Sequence, residues 1–443
     1  MLFFQLFLRN STLPILSLLK PGRLLNYLQQ TIHPFSLTLI LIGSFGITHS
    51  TSAEPLNTAE PFKQCLSRLQ RLAVNNGVNQ QIVKQNLASV THDEKVIEFD
   101  RRQPEFSESF ANYFTKRVNQ WRLDKGRQMQ VKYRQLLNSL QQKYGVPPHY
   151  LMAFWGIETN FGTYKGKMST IRSLATLACD PRRSAFFTTE LMLALKLIET
   201  QHLEGNKMLG SWAGAMGHTQ FMPSAYSKYA VDGDGDGKIN LFDSIPDALS
   251  SAANFLHQLG WQTGFRWGRE VSLEQDFDYH NSGMDKPKTL QQWHQLGVTN
   301  TNASPLSQPD ISAALIVPSG HKGPAFLVYE NFSVIMRWNH SEFYALAVAH
   351  LADRIAGGGK LKRPVVAGSI NLSIGQLQTL QHKLNGLGFT VGKADGIMGP
   401  ATKRGIRDFQ YSRKMIADGF PDNSVFSALG IKLDNAGAKA SLN

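Results

Sequence analysis

Two cysteines, Cys65 and Cys179, are all that the 443 residues contain, and they have no zinc-finger spacing around them. The chain is therefore neither a disulfide-dense scaffold nor a thiolate metal domain. Charge is also scarce, at 18% of residues, and acidic residues are the minority, with 33 Asp and Glu against 46 Lys and Arg. No internal apolar stretch is long enough to span a bilayer, and internal repeats and low-complexity tracts are missing. With 42% hydrophobic residues, the composition is that of a soluble globular protein. Its length exceeds what one core usually supports and fits two or three domains.

The net charge is +13, of which +10 remains from Glu54 onward once Arg9, Lys20 and Arg23 are set aside. Such a surface attracts polyanions. Nucleic acid is not expected, because neither a basic helix nor an aromatic RNA-binding signature accompanies the charge. Residues 1–53 read as an export segment: basic residues, the apolar run Ser36–Gly43, and the small residues Ser50–Ala53 for cleavage after Ala53. The alternative is an uncleaved anchor. In an oxidising compartment, Cys65 and Cys179 permit one disulfide; otherwise they are two separate buried thiols.

A polar, helical lead-in runs from Pro61 to Val146, with Phe62, Cys65, Leu66 and Leu69 on one face. Tyr150 to Trp267 holds the densest mixture of glycine, aromatic and apolar residues. β-formers and turns dominate Phe277–Val334, and a helix returns at His340–Ile355. Gly357-Gly358-Gly359 breaks the chain, and Lys360–Gly368 has linker composition. The expected divisions are 1–53, 54–358, a linker at 359–370, and a small unit at 371–432 whose helical face carries Leu377, Leu380 and Leu384.

Within the central region, Ala153-Phe154-Trp155-Gly156-Ile157-Glu158-Thr159-Asn160-Phe161-Gly162 sets one carboxyl among apolar neighbours. Burial disfavours its charged form, so it can stay protonated near neutral pH and act as a general acid. A helix-terminal Glu paired with an Arg is the competing structural reading. Downstream, Gly210–Ser224 (G-S-W-A-G-A-M-G-H-T-Q-F-M-P-S) combines glycines with side chains suited to sugars, and Arg337-Trp338-Asn339-His340-Ser341 follows farther on.

These three segments resemble the membrane-bound lytic transglycosylase B family, over about Phe62 to Ile355. The resemblance implies a mainly helical α+β, lysozyme-like catalytic domain. It implies Glu158 as the acid and base, Ser211, Gln220 and Phe221 lining the cleft, Arg183 contacting saccharide or peptide, and Trp338, Asn339 and Tyr344 completing the site. An aromatic hydroxyl sometimes found in that family is Phe255 here. No second Asp or Glu sits in these motifs, whereas ordinary glycosidases need a pair. One carboxyl suffices if the attacking hydroxyl belongs to the substrate. Glu158 would then protonate the oxygen between N-acetylmuramic acid and N-acetylglucosamine and deprotonate the muramic C6 hydroxyl, leaving a 1,6-anhydromuramyl end. The alternatives are a lysozyme-like hydrolase that leaves a reducing end and a non-catalytic wall-binding scaffold.

Asp232-Gly233-Asp234-Gly235-Asp236-Gly237-Lys238-Ile239-Asn240-Leu241-Phe242-Asp243 follows the EF-hand loop pattern, with carboxylates at positions 1, 3 and 5, Gly at 6, Lys238 at 7 and Asp243 in place of the final Glu. Asp247 competes as the last ligand. Structural calcium is the expectation and a metal-free Asp-Gly turn the alternative; no cofactor is expected in catalysis. Beyond the linker, Ala394–Thr402 (A-D-G-I-M-G-P-A-T) and Phe409-Gln410 are similar to the peptidoglycan-binding type 1 domain, a three-helix module, in which Asp395, Gly396 and Thr402 are expected to form turns and caps. These resemblances imply a monomer in the periplasm, soluble or loosely membrane-associated, with peptidoglycan strands as its partner.

Overall fold

The computed structural model describes residues 60–102, 108–365 and 372–433. The export segment expected at 1–53 and the linker residues from 366 to 370 lie outside the described residues. Helices open the chain: α1 (Phe62–Asn75), α2 (Gln80–Leu87), α3 (Glu94–Arg102), α4 (Phe110–Arg117), α5 (Gln120–Lys132) and α6 (Arg134–Tyr144). They are amphipathic, burying residues such as Leu66 and Leu69 of α1 and leaving polar faces to solvent.

The seventh helix differs. α7 (Pro148–Thr159) is buried from Tyr150 to Thr159, and its apolar residues surround the axis, as expected of a helix at the centre of a core. Pro148 sits in its first turn, where no amide hydrogen is needed, and Asn160 ends it in the left-handed region at φ 50°. Helices α5 and α6 pack against it.

A two-residue strand β1 (Met168–Ser169) leads into α8 (Thr170–Ala178) and α9 (Ser184–Thr200), and pairs antiparallel with β2 (Leu209–Gly210). Next come α10 (Pro223–Tyr229) and α11 (Ile245–Gln258), the latter packing on α6 and α7. Then follows the sheet: β3 (Gly268–Leu273), β4 (Lys288–Thr289), α12 (Leu290–Gln295), β5 (Val298–Asn300), β6 (Ser312–Ile316) and β7 (Ala325–Val328). The strands are antiparallel in the order β4-β6-β7-β3-β5, around Trp293, Leu290, Leu315 and Leu327. The stretch rich in β-formers thus forms a sheet, but its limits differ from the sequence expectation. The sheet starts at Gly268, and α12 interrupts it because Thr289 and Gln292 form a reciprocal capping box. Helix α13 (Glu330–Asn339) begins before Val334, and α14 (Glu342–Ile355) brings the chain back onto α7.

The C-terminal unit comprises α15 (Ile374–Gly386), α16 (Pro400–Ser412) and α17 (Asn423–Ala428) around Leu377, Leu380, Leu384, Ile406, Phe409 and Phe426. Sequence inspection finds no repeat, yet the unit contains one device twice. Gln381 donates to Asp395 and the Ile397 carbonyl and accepts from the Gly396 amide. Gln410 does the same with Asp418, the Phe420 carbonyl and the Gly419 amide. Asp395 and Thr402 are thereby turn and anchor groups, with Gln381 also donating to Thr402 Oγ1 at 3.0 Å.

Cys65 of α1 and Cys179, which caps α8, are joined as a disulfide across 114 residues of sequence. Closing so long a loop restricts the unfolded chain, with a chain-entropy contribution of about 5 kcal/mol. Reduction, or C65S, is expected to lower the melting temperature by several degrees. The double variant C65S/C179S should then melt at the same temperature with and without dithiothreitol.

Candidate active site

Glu158 lies one residue from the C-terminal end of α7 and is only 3% exposed. Burial raises its carboxyl from the ordinary 4.5 to about 8, against an opposing hydrogen bond from Tyr344. Its place at the negative end of a helix dipole acts in the same direction as burial. The Tyr344 hydroxyl, from the first turn of α14, donates to Oε1. Trp338 turns its indole N–H toward the carboxyl, close enough to favour the anion, but outside hydrogen-bond geometry with any described residue. Phe154, one turn before Glu158, packs on Trp338 with ring centroids 4.4 Å apart. One carboxyl oxygen is therefore held by a neutral donor inside an aromatic wall.

Tyr113 of α4 is a member of this site that sequence inspection missed. It is buried, its hydroxyl is held well above its ordinary range first by burial, and the Glu158 charge adds to that effect. Its ring carries the Arg117 guanidinium at 3.5 Å. Arg122 clamps the surroundings: its guanidinium donates to the Gly156 carbonyl of α7 and to the Lys116 and Arg117 carbonyls at the end of α4. Positive charge at two helix C-termini is electrostatically favourable. The segment 110–117 lacks glycine and carries no distinctive motif, so no local signal marked it.

The E-T-N-F-G motif and the glycine-rich segment prove to be two halves of one joint. Asn160, Phe161 and Gly162 all have positive φ, a left-handed run that turns the chain sharply after Glu158. Thr159 donates to the His218 carbonyl at 2.9 Å, and the Trp155 indole donates to His218 Nδ1 at 3.1 Å. A Cβ on Gly162 would lie 2.2 Å from the His218 ring, so glycine is required there for space as well as for φ +81°. Burial lowers His218 to about 4, leaving it neutral with Nδ1 as acceptor.

Several expected cleft residues turn out to build this joint. Ser211 Oγ accepts from the Ala215 amide at 3.1 Å and forms a turn. Gln220, at φ 51°, donates from its side chain to the Lys165 and Gly217 carbonyls. Phe221 is fully buried between Phe255 and Trp338, with centroids 5.2 and 5.4 Å away. Phe255 itself stacks at 5.1 Å from Trp338 and offers no hydroxyl. Asn339 is buried at the end of α13, beside Trp338. Arg183 is bonded to Asp100 and lies over the Phe187 ring at 4.9 Å. Asp100 is 1% exposed and also receives Arg182 and Arg101, so Arg183 helps to neutralise a buried carboxylate. A cavity of about 940 Å³ lies elsewhere, between α2, α8 and α9, and is lined by Asn79, Gln85, Asn86 and Arg172 but not by Glu158.

In the Asp-Gly loop, carboxylate oxygens of Asp232, Asp234 and Asp247 lie within 4.8 Å of one another. Asp247, in the first turn of α11, accepts the Gly233 and Asn240 amides, both at 2.7 Å. Asp232 accepts those of Gly235 and Gly237. Asp243 is not part of the cluster: its side chain is 80% exposed and pairs with Lys165 at 3.7 Å. Asp236 is also outside, accepting the Lys238 amide at 2.8 Å. Of the two candidate last carboxylates, Asp247, in the first turn of α11, is the one that lies beside Asp232 and Asp234. The donor set is all hard oxygen, which suits calcium.

A single buried carboxyl on the central helix of a mainly helical α+β fold, with a small helical module appended, defines a lysozyme-like wall enzyme fold. The match to the transglycosylase SLT domain covers residues 61–353, and the chain belongs to that family. Residues 374–429 match a family described as peptidoglycan binding domains. The chain is 36% identical over 231 residues to membrane-bound lytic murein transglycosylase B of Escherichia coli K12, covering 51% of this chain and 61% of that protein, somewhat under two thirds of its length. Among solved structures, SltB3 of Pseudomonas aeruginosa in complex with NAG-anhNAM-pentapeptide superposes with a TM-score of 0.80 at 38% identity, over 84% of this chain and 100% of that one. Escherichia coli Slt35 in complex with calcium gives 0.59 at 30%, over 66% and 92%. No helix of the described residues is long and apolar enough to cross a membrane.

A carboxyl raised by burial costs stability. The unfolded chain ionises Glu158 above its ordinary 4.5 while the folded chain holds the proton up to about 8. Stability is therefore lost as pH rises between those values, amounting to roughly 3 kcal/mol at pH 7. E158Q is expected to melt higher than wild type at pH 7, and the gain should vanish near pH 4, as measured by thermal unfolding across pH.

Proposed function

We propose that this protein is a lytic transglycosylase that cleaves the β-1,4 bond between N-acetylmuramic acid and N-acetylglucosamine in peptidoglycan, with Glu158 as its single acid and base. The observation that carries this reading is the geometry at Glu158: a carboxyl protonated near neutral pH, with Oε1 held by Tyr344. The proton then resides on Oε2, the oxygen left to face a glycosidic bond. It passes to the leaving O4 of N-acetylglucosamine as the C1–O4 bond breaks. The emptied Oε2 takes the proton of the muramic C6 hydroxyl, whose oxygen closes onto C1. No water is consumed, and the acid is regenerated. Tyr344 and the Trp338 indole N–H, which favours the anion, stabilise Glu158 while it is ionised. That SltB3 is solved with both NAG-anhNAM-pentapeptide and NAG-NAM-pentapeptide supports muropeptide as the class of ligand.

The basic surface and the C-terminal module suit an anionic, insoluble wall substrate, and an export segment at 1–53 would deliver the protein, as a monomer, to the periplasm. E158Q should abolish release of anhydromuropeptides from purified sacculi, assayed by mass spectrometry. Wild-type kcat/KM should fall as pH rises through about 8, where the acid loses its proton in the free enzyme. Reducing muramic ends among the products would indicate a hydrolase instead.

In the same reading, Asp232, Asp234 and Asp247 hold calcium as a brace for the loop that ends at α11, with no part in bond cleavage. The loop touches the active-site joint, since the His218 amide donates to the Leu241 carbonyl. Calcium should raise the melting temperature by several degrees and EDTA should reverse this; D234N should abolish the shift, and a wild-type melting curve indifferent to both reagents would remove the metal.

A further inference from the structure

The C-terminal module is bound to the catalytic domain by specific polar contacts. Where the linker begins, the Lys362 and Arg363 amides donate to the two carboxylate oxygens of Glu270, both at 2.8 Å. Asp418, in the second Gln–Asp-Gly device, accepts the His321 amide at 2.9 Å, and Arg407 donates to Asp285 at 3.0 Å. The seam is close: a Cβ on Gly320 would lie 2.7 Å from Asp418 Oδ2.

One contact of this seam leads to the active site. Lys403 of α16 donates to Glu342 at 2.6 Å, with side chains only 23% and 11% exposed. Glu342 is the first residue of α14. The next residue, Phe343, packs on the rings of Phe110 and Tyr113 at 5.2 and 6.0 Å, and the Lys403 ammonium lies 5.7 Å from its ring centre. The third, Tyr344, donates to Glu158. Three consecutive residues of one helical turn thus touch the module, the α4 wall and the acid.

We propose that the module has a task besides holding the wall: through Lys403 it sets the position of Tyr344, which makes Lys403 a positioning residue for the reaction at Glu158. This rests on the reading of Glu158 given above. Removing Lys403 leaves Glu342 partly buried without its cation, and a carboxylate so placed moves toward water. Because residues of one helical turn move together, Tyr344 and the Phe343 wedge move with it. Misplacement of a group at a reacting centre by about 1 Å can cost up to a hundredfold in rate. A module that acted only as a tether would raise the local concentration at insoluble wall and nothing else. The two roles separate on a soluble substrate.

The test compares full-length wild type, K403M, K403R, K403E, the swap K403E/E342K and E158Q. Each is assayed on purified sacculi and on soluble glycan strands stripped of stem peptides, with a sacculus pull-down alongside. The expectation is that K403M loses about tenfold in kcat on both substrates, with KM within about twofold and unchanged sacculus binding. K403R should recover most of the rate, and the swap should recover activity that K403E lacks. A K403M enzyme equal to wild type on soluble strands, or impaired on sacculi alone, overturns the proposal. Should K403M fail to fold, the swap decides, since no recovery over K403E overturns it equally. Active wild type, inactive E158Q and unimpaired K403M would sink the role of Lys403 alone, whereas an active E158Q would remove the reading of Glu158 itself.

Discussion

The burial of one carboxyl governs how this molecule is built. Among the described residues no Arg or Lys is bonded to Glu158; its directed partner is the neutral hydroxyl of Tyr344, 186 residues away in sequence. A cation in that position would hold the group ionised, and an unpartnered carboxyl would leave a buried oxygen unsatisfied. A neutral donor on one oxygen avoids both and leaves the other oxygen available. Phe154 and Phe221 both pack on Trp338, and burial of the carboxyl raises it to about 8, which favours the protonated form near neutral pH.

The surrounding elements follow from the need to hold that arrangement. Helix α7 is buried because its residue 158 must be; its C-terminal carbonyl at Gly156 is met by Arg122, and its exit is locked to the glycine-rich segment through Thr159, Trp155 and His218. Ser211, Gln220 and Phe221 hold the glycine-rich segment in shape through backbone turns and packing. The Asp232, Asp234 and Asp247 cluster and the Cys65–Cys179 disulfide sit outside this centre and fasten loops and helices that pack around it. Family membership and these contacts agree on a transglycosylase-type fold in which many residues hold the few around Glu158 still.

Much of this was legible in the residue order. An acidic residue inside an otherwise apolar helix is a local anomaly, visible without coordinates, as are the Asp-Gly loop and the D-G-I-x-G-P-x-T pattern of the module. Spacing alone could not say which last carboxylate closes the loop. Asp243 and Asp247 are both within reach along the chain, and the fold sets Asp247 rather than Asp243 beside Asp232 and Asp234. Arg183 matched a family position, but the buried Asp100 that claims it lies in a different helix. Tyr113 sat in an unremarkable amphipathic segment, and its closeness to Glu158 depends on α4 and α7 both packing on α14.

By itself the sequence determined the periodic elements, the single carboxyl, the hard-oxygen loop and the presence of a second helical unit, because each depends on residue type and short spacing. The tertiary structure decided which hydroxyl meets Glu158, which carboxylate completes the Asp cluster, and that the second unit is seated on the first through Asp418, Arg407 and Lys403. Those pairings join residues as far as 186 positions apart, and only the packing of helices and sheet brings such residues together.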